Sequence, residues 1–349
     1  MLTLIGNSKV KFIDGQHLSR SNFALSAYVK YMYCVVVAIA SLTTTICAGH
    51  AQSYPSRPIR LVVGFAPGGA NDIVARILAQ KLAEVMGQQI VVDNRAGADG
   101  RIATELVSKS QPDGYTILLV PTSFSYGTAG LKNPPYTHDD FTKVSLVAKA
   151  PFILLANPSY PASTVKELIA NAKVTTKPLS YATGGVGNLT HLAGELLQQM
   201  AGIKLQAVAY RGTGPAMVDL MGGQIPLQMA AILSAVPFVA SGKVKALGVT
   251  ASKRSPAVPE VPTIAEAGLP GYEAEGWWAI LGPSGMSIQV QEKLNKGINT
   301  SLSATEVVDR IVKVGAVPAP STPESLRNFI KGESTKWVKV LKEARIVLE

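Results

Sequence analysis

Residues 61–82 read LVVGFAPGGANDIVARILAQKL, and this stretch decides the fold class. Leu61 to Phe65 continues an apolar run from Ile59 and reads as a buried strand over 59–65. From Asn71 onward, Ile73, Val74, Ile77, Leu78 and Leu82 recur at helical spacing, so a helix is expected over 71–86, ended by Gly87. The turn between them is Phe65-Ala66-Pro67-Gly68-Gly69-Ala70-Asn71-Asp72. A phosphate loop needs Lys and Ser/Thr after its glycines, and none follows here. Gly64, Gly68 and Gly69 also miss the spacing of a dinucleotide fingerprint. What remains is physical. Gly68 and Gly69 let the backbone come close to a ligand. Asn71 or Asp72 can cap the helix. The helix N-terminus offers free N–H groups and partial positive charge, which suits a small anion. The competing reading is a capped structural turn.

The same alternation extends outward. A strand at 90–93, a helix at 99–110 and a strand at 115–120 complete βαβαβ, which implies a parallel sheet with right-handed crossovers. After a polar loop over 121–140 comes an apolar extended run, 146–156, and a second alternating set that ends near 250. A further extended run over 273–281 leads to three helical patterns, 288–301, 304–314 and 323–344. Two α/β sets joined by two extended runs predict two lobes, each a mainly parallel sheet flanked by helices. The first comprises 52–150 plus 280–349, with the helical tail folded back onto it, and the second 151–279. Ligands of such sheets sit at strand carboxyl ends, here in the cleft between lobes.

The first fifty residues differ from the rest. Lys9, Lys11, Arg20 and Lys30 precede an apolar run over 31–47, followed by Gly49-His50-Ala51. This is the pattern of a secretory signal peptide over 1–51, with export across the membrane. The alternative, a membrane anchor, is marginal because the run is short and carries Ser41 and Thr43 to Thr45. Cys34 and Cys47 both lie inside this segment, so the mature chain is expected to have no disulfide and no thiol nucleophile. The chain carries +10 net charge, but its basic residues are scattered, with no run of about five like charges to mark a nucleic-acid surface.

Other turns at strand ends repeat the device of the first. Thr183-Gly184-Gly185-Val186-Gly187 precedes a helix opened by Asn188, Leu189 and Thr190. His191 in that helix reads better as a helix-face residue than as a base, since a base needs a partner in reach. Tyr210-Arg211-Gly212-Thr213-Gly214-Pro215 opens a third helix, and Arg211 either pairs with a carboxylate or is a solvated turn residue. Thr122, Ser123 and Ser125 form a hydroxyl-rich strand end without a convincing triad. Three helix N-termini are thus expected to converge on one cleft. No cofactor or metal is expected.

These residues also resemble a known family. YPSRPIR at 54–60 leading into APGG at 66–69, NRAGADG at 94–100, GGVG at 184–187 with HLAGE at 191–195, YRG at 210–212 with Pro215, Ala216, Asp219 and Leu220, and PEVPT at 259–263 with Glu266, Ala267 and Gly268 resemble the receptors of the tripartite tricarboxylate transporter (Bug) family. The likeness covers almost the whole chain from Tyr54. It implies a periplasmic binding protein of type II-like two-lobe fold, not an enzyme, that closes on a small carboxylate. It also implies membrane transporter subunits as partners, and a monomer is expected. By the same resemblance the ligand contacts are Ala66, Gly68, Gly69, Asn71 and Asp72, then Thr122 and Ser123, then Gly185, Gly187, Thr190 and Arg211; Phe65 of the first turn joins them. Gly64 (where the family usually has proline), Tyr126, Gly127 and the apolar Met229-Ala230-Ala231-Ile232 depart from the pattern near the presumed pocket. The competing readings are a ligand sensor for a signalling system and an exported hydrolase using Ser123 or His191.

Overall fold

The structure is a computed structural model that describes residues 28–35, 54–129, 131–210 and 212–347. The expected leader and Arg211 therefore lie outside the described residues, apart from 28–35, which are helical. Among the described residues no helix is long and apolar enough to cross a membrane.

The opening stretch folds as strand β1 (Ile59–Val63) and helix α1 (Ala70–Met86). Leu61 and Val63 enter one core cluster while Val62 enters another on the opposite face. A strand covered on both faces needs apolar residues at every position, which is why its pattern does not alternate. Val74, Ile77, Leu78 and Leu82 of α1 are buried as their spacing predicts, but Ile73 is turned outward and exposed. Gly87 ends the helix in the left-handed conformation. Strand β2 (Ile90–Asn94), helix α2 (Arg101–Ser108) and strand β3 (Thr116–Pro121) follow, and β2, β1 and β3 lie side by side in parallel.

Strand β4 (Phe141–Ala156) starts earlier than the sequence suggests and joins the two halves of the molecule. Its first part runs antiparallel to β9 (Glu275–Pro283), which pairs in turn with β3. Its last part, Phe152 to Ala156, pairs antiparallel with β7 (Leu227–Ala231), and Ile153 to Ala156 also pair with β8 (Lys245–Val249). The intervening chain forms α3 (Val165–Val174), β5 (Leu179–Thr183), α4 (Leu189–Ala201), β6 (Leu205–Ala209) and α5 (Thr213–Met221), with α6 (Ile232–Ala240) after β7. The strand order is β2-β1-β3-β9-β4-β7-β5-β6. Each lobe keeps its parallel set, β2-β1-β3 and β6-β5-β7, flanked by helices. The strands that run between lobes join both sets antiparallel, so each sheet is mixed.

The tail forms α7 (Ile288–Leu302), α8 (Thr305–Lys313), the short β10 (Val317–Pro318) and α9 (Pro323–Ala344). Helices α7 and α8 cover the first sheet. Helix α9 does more. Its Leu326 and Ile330 pack with Val120, Leu118 and Trp277, whereas its Trp337, Val340 and Leu341 pack with Tyr181, Leu192 and Leu197 of the other lobe. A helix of 22 residues spans about 33 Å, long enough to serve both cores. Glu333 lies between these two contacts. Its Oε2 accepts hydrogen bonds from the indoles of Trp277 and Trp337, each at 2.9 Å.

Candidate functional site

Two strand-to-helix turns meet over one cleft. At the first, Gly69 is the N-cap of α1, so no side chain caps the helix there. Asp72 instead reaches back: its Oδ2 accepts from the Gly68 N–H at 2.9 Å and from Arg76 Nε at 2.9 Å, and its Oδ1 accepts from Asn94 Nδ2 at 3.0 Å. The Arg76 hydrogen bond, with help from the Gly68 and Asn94 donors and against the cost of burial, holds the Asp72 carboxyl down at about 2. Asn71 Oδ1 accepts from the Trp278 indole of β9 at 2.6 Å, which ties the start of α1 to the crossing strand.

At the second turn, Asn188 caps α4 by accepting from the His191 N–H at 3.1 Å, and Thr190 donates to the same oxygen at 2.6 Å. The Thr190 hydroxyl also accepts from the Gly184 N–H at 2.9 Å. Gly185 and Gly187 both have positive φ, which only glycine adopts without strain there. His191 Nδ1 accepts from the Gly187 N–H at 3.0 Å, which leaves its proton on Nε2, facing Glu195 Oε1 at 3.5 Å. This histidine thus orders the glycine turn.

The cleft has a volume of about 880 Å³. One wall is Phe65, Ala70 and Asn71 with Pro121, Thr122, Ser123, Tyr126 and Gly127; another is Val186, Gly187, Asn188 and Leu189. Phe152, Gly276, Trp277 and Trp278 of the crossing strands form its back, and Asp99, Arg101 and Val347 also face it. Of the residues expected to contact ligand, Phe65, Asn71, Thr122, Ser123 and Gly187 line the cleft. Ala66, Gly68, Gly69, Asp72, Gly185 and Thr190 are not part of its lining; Asp72 and Thr190 spend their side chains holding the turns. Thr122 Oγ1 accepts from the Trp277 N–H at 2.8 Å and so pins β9 to the end of β3.

Among the described residues, the starts of α1 and α4 line the cleft. The start of α5, at Thr213, does not line it. Its preceding strand, β6, is at the sheet edge, with β7 and β5 between it and the crossing strand β4. Sequence reasoning missed Asp99, Arg101, Asn188 and Phe152 as cleft residues. The NRAGADG motif was visible, but which of its side chains faces the cleft depends on the backbone of that turn. Gly97, Ala98, Asp99 and Gly100 all have positive φ. Burial raises the Asp99 carboxyl, against smaller lowering effects of the Ser123 hydroxyl and of Arg101.

Two mixed α/β lobes linked by crossing strands, with paired helix N-termini facing each other over a cleft, define a two-lobe solute-binding protein. The chain belongs to the family of tripartite tricarboxylate transporter receptors, whose description it matches over residues 74–346. It is 37% identical to protein BugT of Bordetella pertussis over 312 residues, 88% of this chain and 96% of BugT. Among solved structures it is similar to Rpa4515 of R. palustris with adipate, with 33% identity, a TM-score of 0.70, and coverage of 84% of this chain and 99% of that one. It is also similar to MatC of Rhodopseudomonas palustris with bound malate, with 32% identity, a TM-score of 0.65, and coverage of 82% and 100%. The family and these neighbours are solute-binding receptors.

Proposed function

We propose that this chain is an exported, monomeric receptor that captures a small carboxylate in the cleft and passes it to membrane transporter subunits of the tripartite tricarboxylate type. The observation that carries the reading is the meeting of two helix N-termini, of α1 and α4, over one cavity. Each offers backbone N–H groups and partial positive charge to a carboxylate. Adipate and malate, named with two similar structures, are ligands of this chemistry. The lobes we assign are 52–150 plus 280–349 and 151–279, with α9 as a third link between them and 1–51 as the leader directing the chain to the periplasm. The contacts we assign are Phe65, Ala66, Gly68, Gly69, Asn71, Asp72, Thr122, Ser123, Gly185, Gly187, Thr190 and Arg211.

Gly69→Val tests the site. A Cβ at Gly69 meets only the Ala66 carbonyl oxygen at 3.6 Å, so the protein itself accommodates it. The larger side chain crowds the N–H groups that a carboxylate needs. A carboxylate that raises the melting temperature of the wild type should bind this variant at least about tenfold more weakly, or ~1.4 kcal/mol. Equal affinity by calorimetry in a folded variant would remove the α1 N-terminus from the site.

Closure should be visible in fluorescence. Trp277 is buried at 1% exposure, whereas Trp278 is half-buried, lines the cleft and bonds to Asn71. Trp278→Phe should therefore abolish most of the ligand-induced change. Trp337, in the tail helix, shares Glu333 with Trp277 and stacks edge-on with the cleft residue Tyr126. It should report a smaller part. A signal unaltered in Trp278→Phe would show that the crossing strand does not report closure.

A further inference from the structure

Near its start, β9 contains a glycine that neither the strand nor its packing explains. Gly276 lies between Glu275 and Trp277, and its φ is outside the left-handed region that favours glycine. A Cβ there would lie 3.4 Å from the Ala150 carbonyl oxygen and 3.6 Å from Phe152 Cζ, both ordinary contacts. Glycine weakens a strand, since it loses more backbone freedom on folding and packs no side chain. A strand keeps one at a bulge, at a tight bend or where a ligand comes close to the backbone. The register is regular here: Glu275, Gly276 and Trp277 pair in step with Pro151, Ala150 and Lys149. A bulge therefore does not account for the glycine. Gly276 does line the cleft, so the close approach of a ligand accounts for it.

The neighbours shape what can approach. Alternation puts Gly276 and Trp278 on one face of β9. Trp278 pairs with Ala148, and Phe152 stands four residues further along β4, about 13 Å away at ordinary strand rise. Between these two aromatic positions, that face carries only Gly276 and its partner Ala150. The result is a slot floored by backbone and flanked by Trp278 and by Phe152, whose ring edge borders the place of the missing Cβ. Phe65, Tyr126 and Leu189 line the same cleft. Polar side chains around it already have protein partners. Asn71 accepts from the Trp278 indole, Thr122 accepts from the Trp277 N–H, Ser123 hydrogen-bonds Asp99, and Arg101 Nε donates to the Ala98 carbonyl at 3.0 Å. A flat apolar body suits such a slot, because a ring can lie against exposed backbone and stack on its aromatic neighbours. Resting on the carboxylate reading above, we propose that Gly276 is a specificity-determining residue that makes room for a planar ring, so that the receptor takes aryl carboxylates in preference to aliphatic ones. The carboxylate meets the N-termini of α1 and α4, and the ring lies over Gly276 between Phe152 and Trp278.

The test is calorimetric titration of the wild type and Gly276→Ala with benzoate, phenylacetate and 3-phenylpropanoate against hexanoate, malate and adipate. In the wild type, at least one aryl acid should bind at least about tenfold more tightly than each aliphatic acid. The methyl group of Gly276→Ala is accommodated by Ala150 and Phe152, and alanine costs a strand less than glycine, so the variant should fold. That methyl stands where the ring lies. In the variant the leading aryl acid should therefore lose at least about tenfold more affinity than hexanoate, whose flexible chain can step around it. An aliphatic acid that binds the wild type as tightly as every aryl acid overturns the inference while leaving the carboxylate reading intact, and this comparison decides the matter even if the variant does not fold. No loss, or equal losses for the aryl acid and hexanoate, in folded Gly276→Ala also overturns it. Failure of all six probes to bind the wild type overturns the carboxylate reading and the inference with it.

Discussion

Glu333→Ala will destabilise the protein by about 2–6 kcal/mol, because it leaves two buried indole N–H groups without an acceptor at roughly 1–3 kcal/mol each. Glu333 is 8% exposed, and Trp277 and Trp337 are 1% and 0% exposed, so water cannot replace the carboxylate. Lys336, paired with Oε1 of the same carboxylate, loses its partner as well. Both indoles donate to one oxygen, Oε2. Glu333→Gln, with its amide oxygen in that place, should keep both bonds in neutral form and cost only about 1 kcal/mol. Chemical denaturation of the two variants checks this. A Glu333→Ala variant as stable as wild type would mean that the bridge between β9 and α9 contributes nothing to the fold. The location makes the loss consequential: Trp277 belongs to the core under β3 and β9, and Trp337 to the core of the other lobe.

Acid will remove the contribution of Asp72. Its folded carboxyl is held at about 2, against an ordinary 3.8, chiefly by the Arg76 hydrogen bond. A depressed folded value means that the unfolded chain takes up the proton first as pH falls. The stabilisation is therefore fully present above about pH 4 and is lost as the pH drops towards 2. The size is about 2 kcal/mol at most, and less to the extent that solvent screens Arg76, whose side chain is 52% exposed. Asp72→Asn should bring that loss forward to neutral pH and flatten the acid limb of the stability curve. Wild type and variant with parallel acid limbs would assign the acid sensitivity to other groups. The variant should also loosen the first turn, since Asp72 is the acceptor for the Gly68 N–H.

Sequence by itself determined the local elements of this protein and their class. The apolar run of β1 and the helical spacing of α1 are written in neighbouring residues, and short-range periodicity is enough to read them. The glycines of the two cleft turns were legible for the same reason: a positive φ, as at Gly68, Gly185 and Gly187, permits few other residues. Two α/β sets with two connecting runs also gave the two-lobe architecture. Only the tertiary structure decided which elements are shared and which turns meet. That β4 starts at Phe141 and pairs in both sheets depends on β7, β8 and β9, far along the chain. That Asn71 bonds to Trp278, 207 residues away, and that Glu333 joins Trp277 to Trp337, are registrations between distant elements that no local period encodes. The same holds for the cleft. The turn before α5 looks in sequence like the other two, but its strand is at the sheet edge, and Thr213 at the start of α5 is not among the described residues that line the cavity. Asp99 is one letter of NRAGADG in sequence; that it lines the cavity depends on how its turn packs against the end of β1 at Gly64. Local propensity selects the elements, while strand order and close packing select which side chains share a cavity.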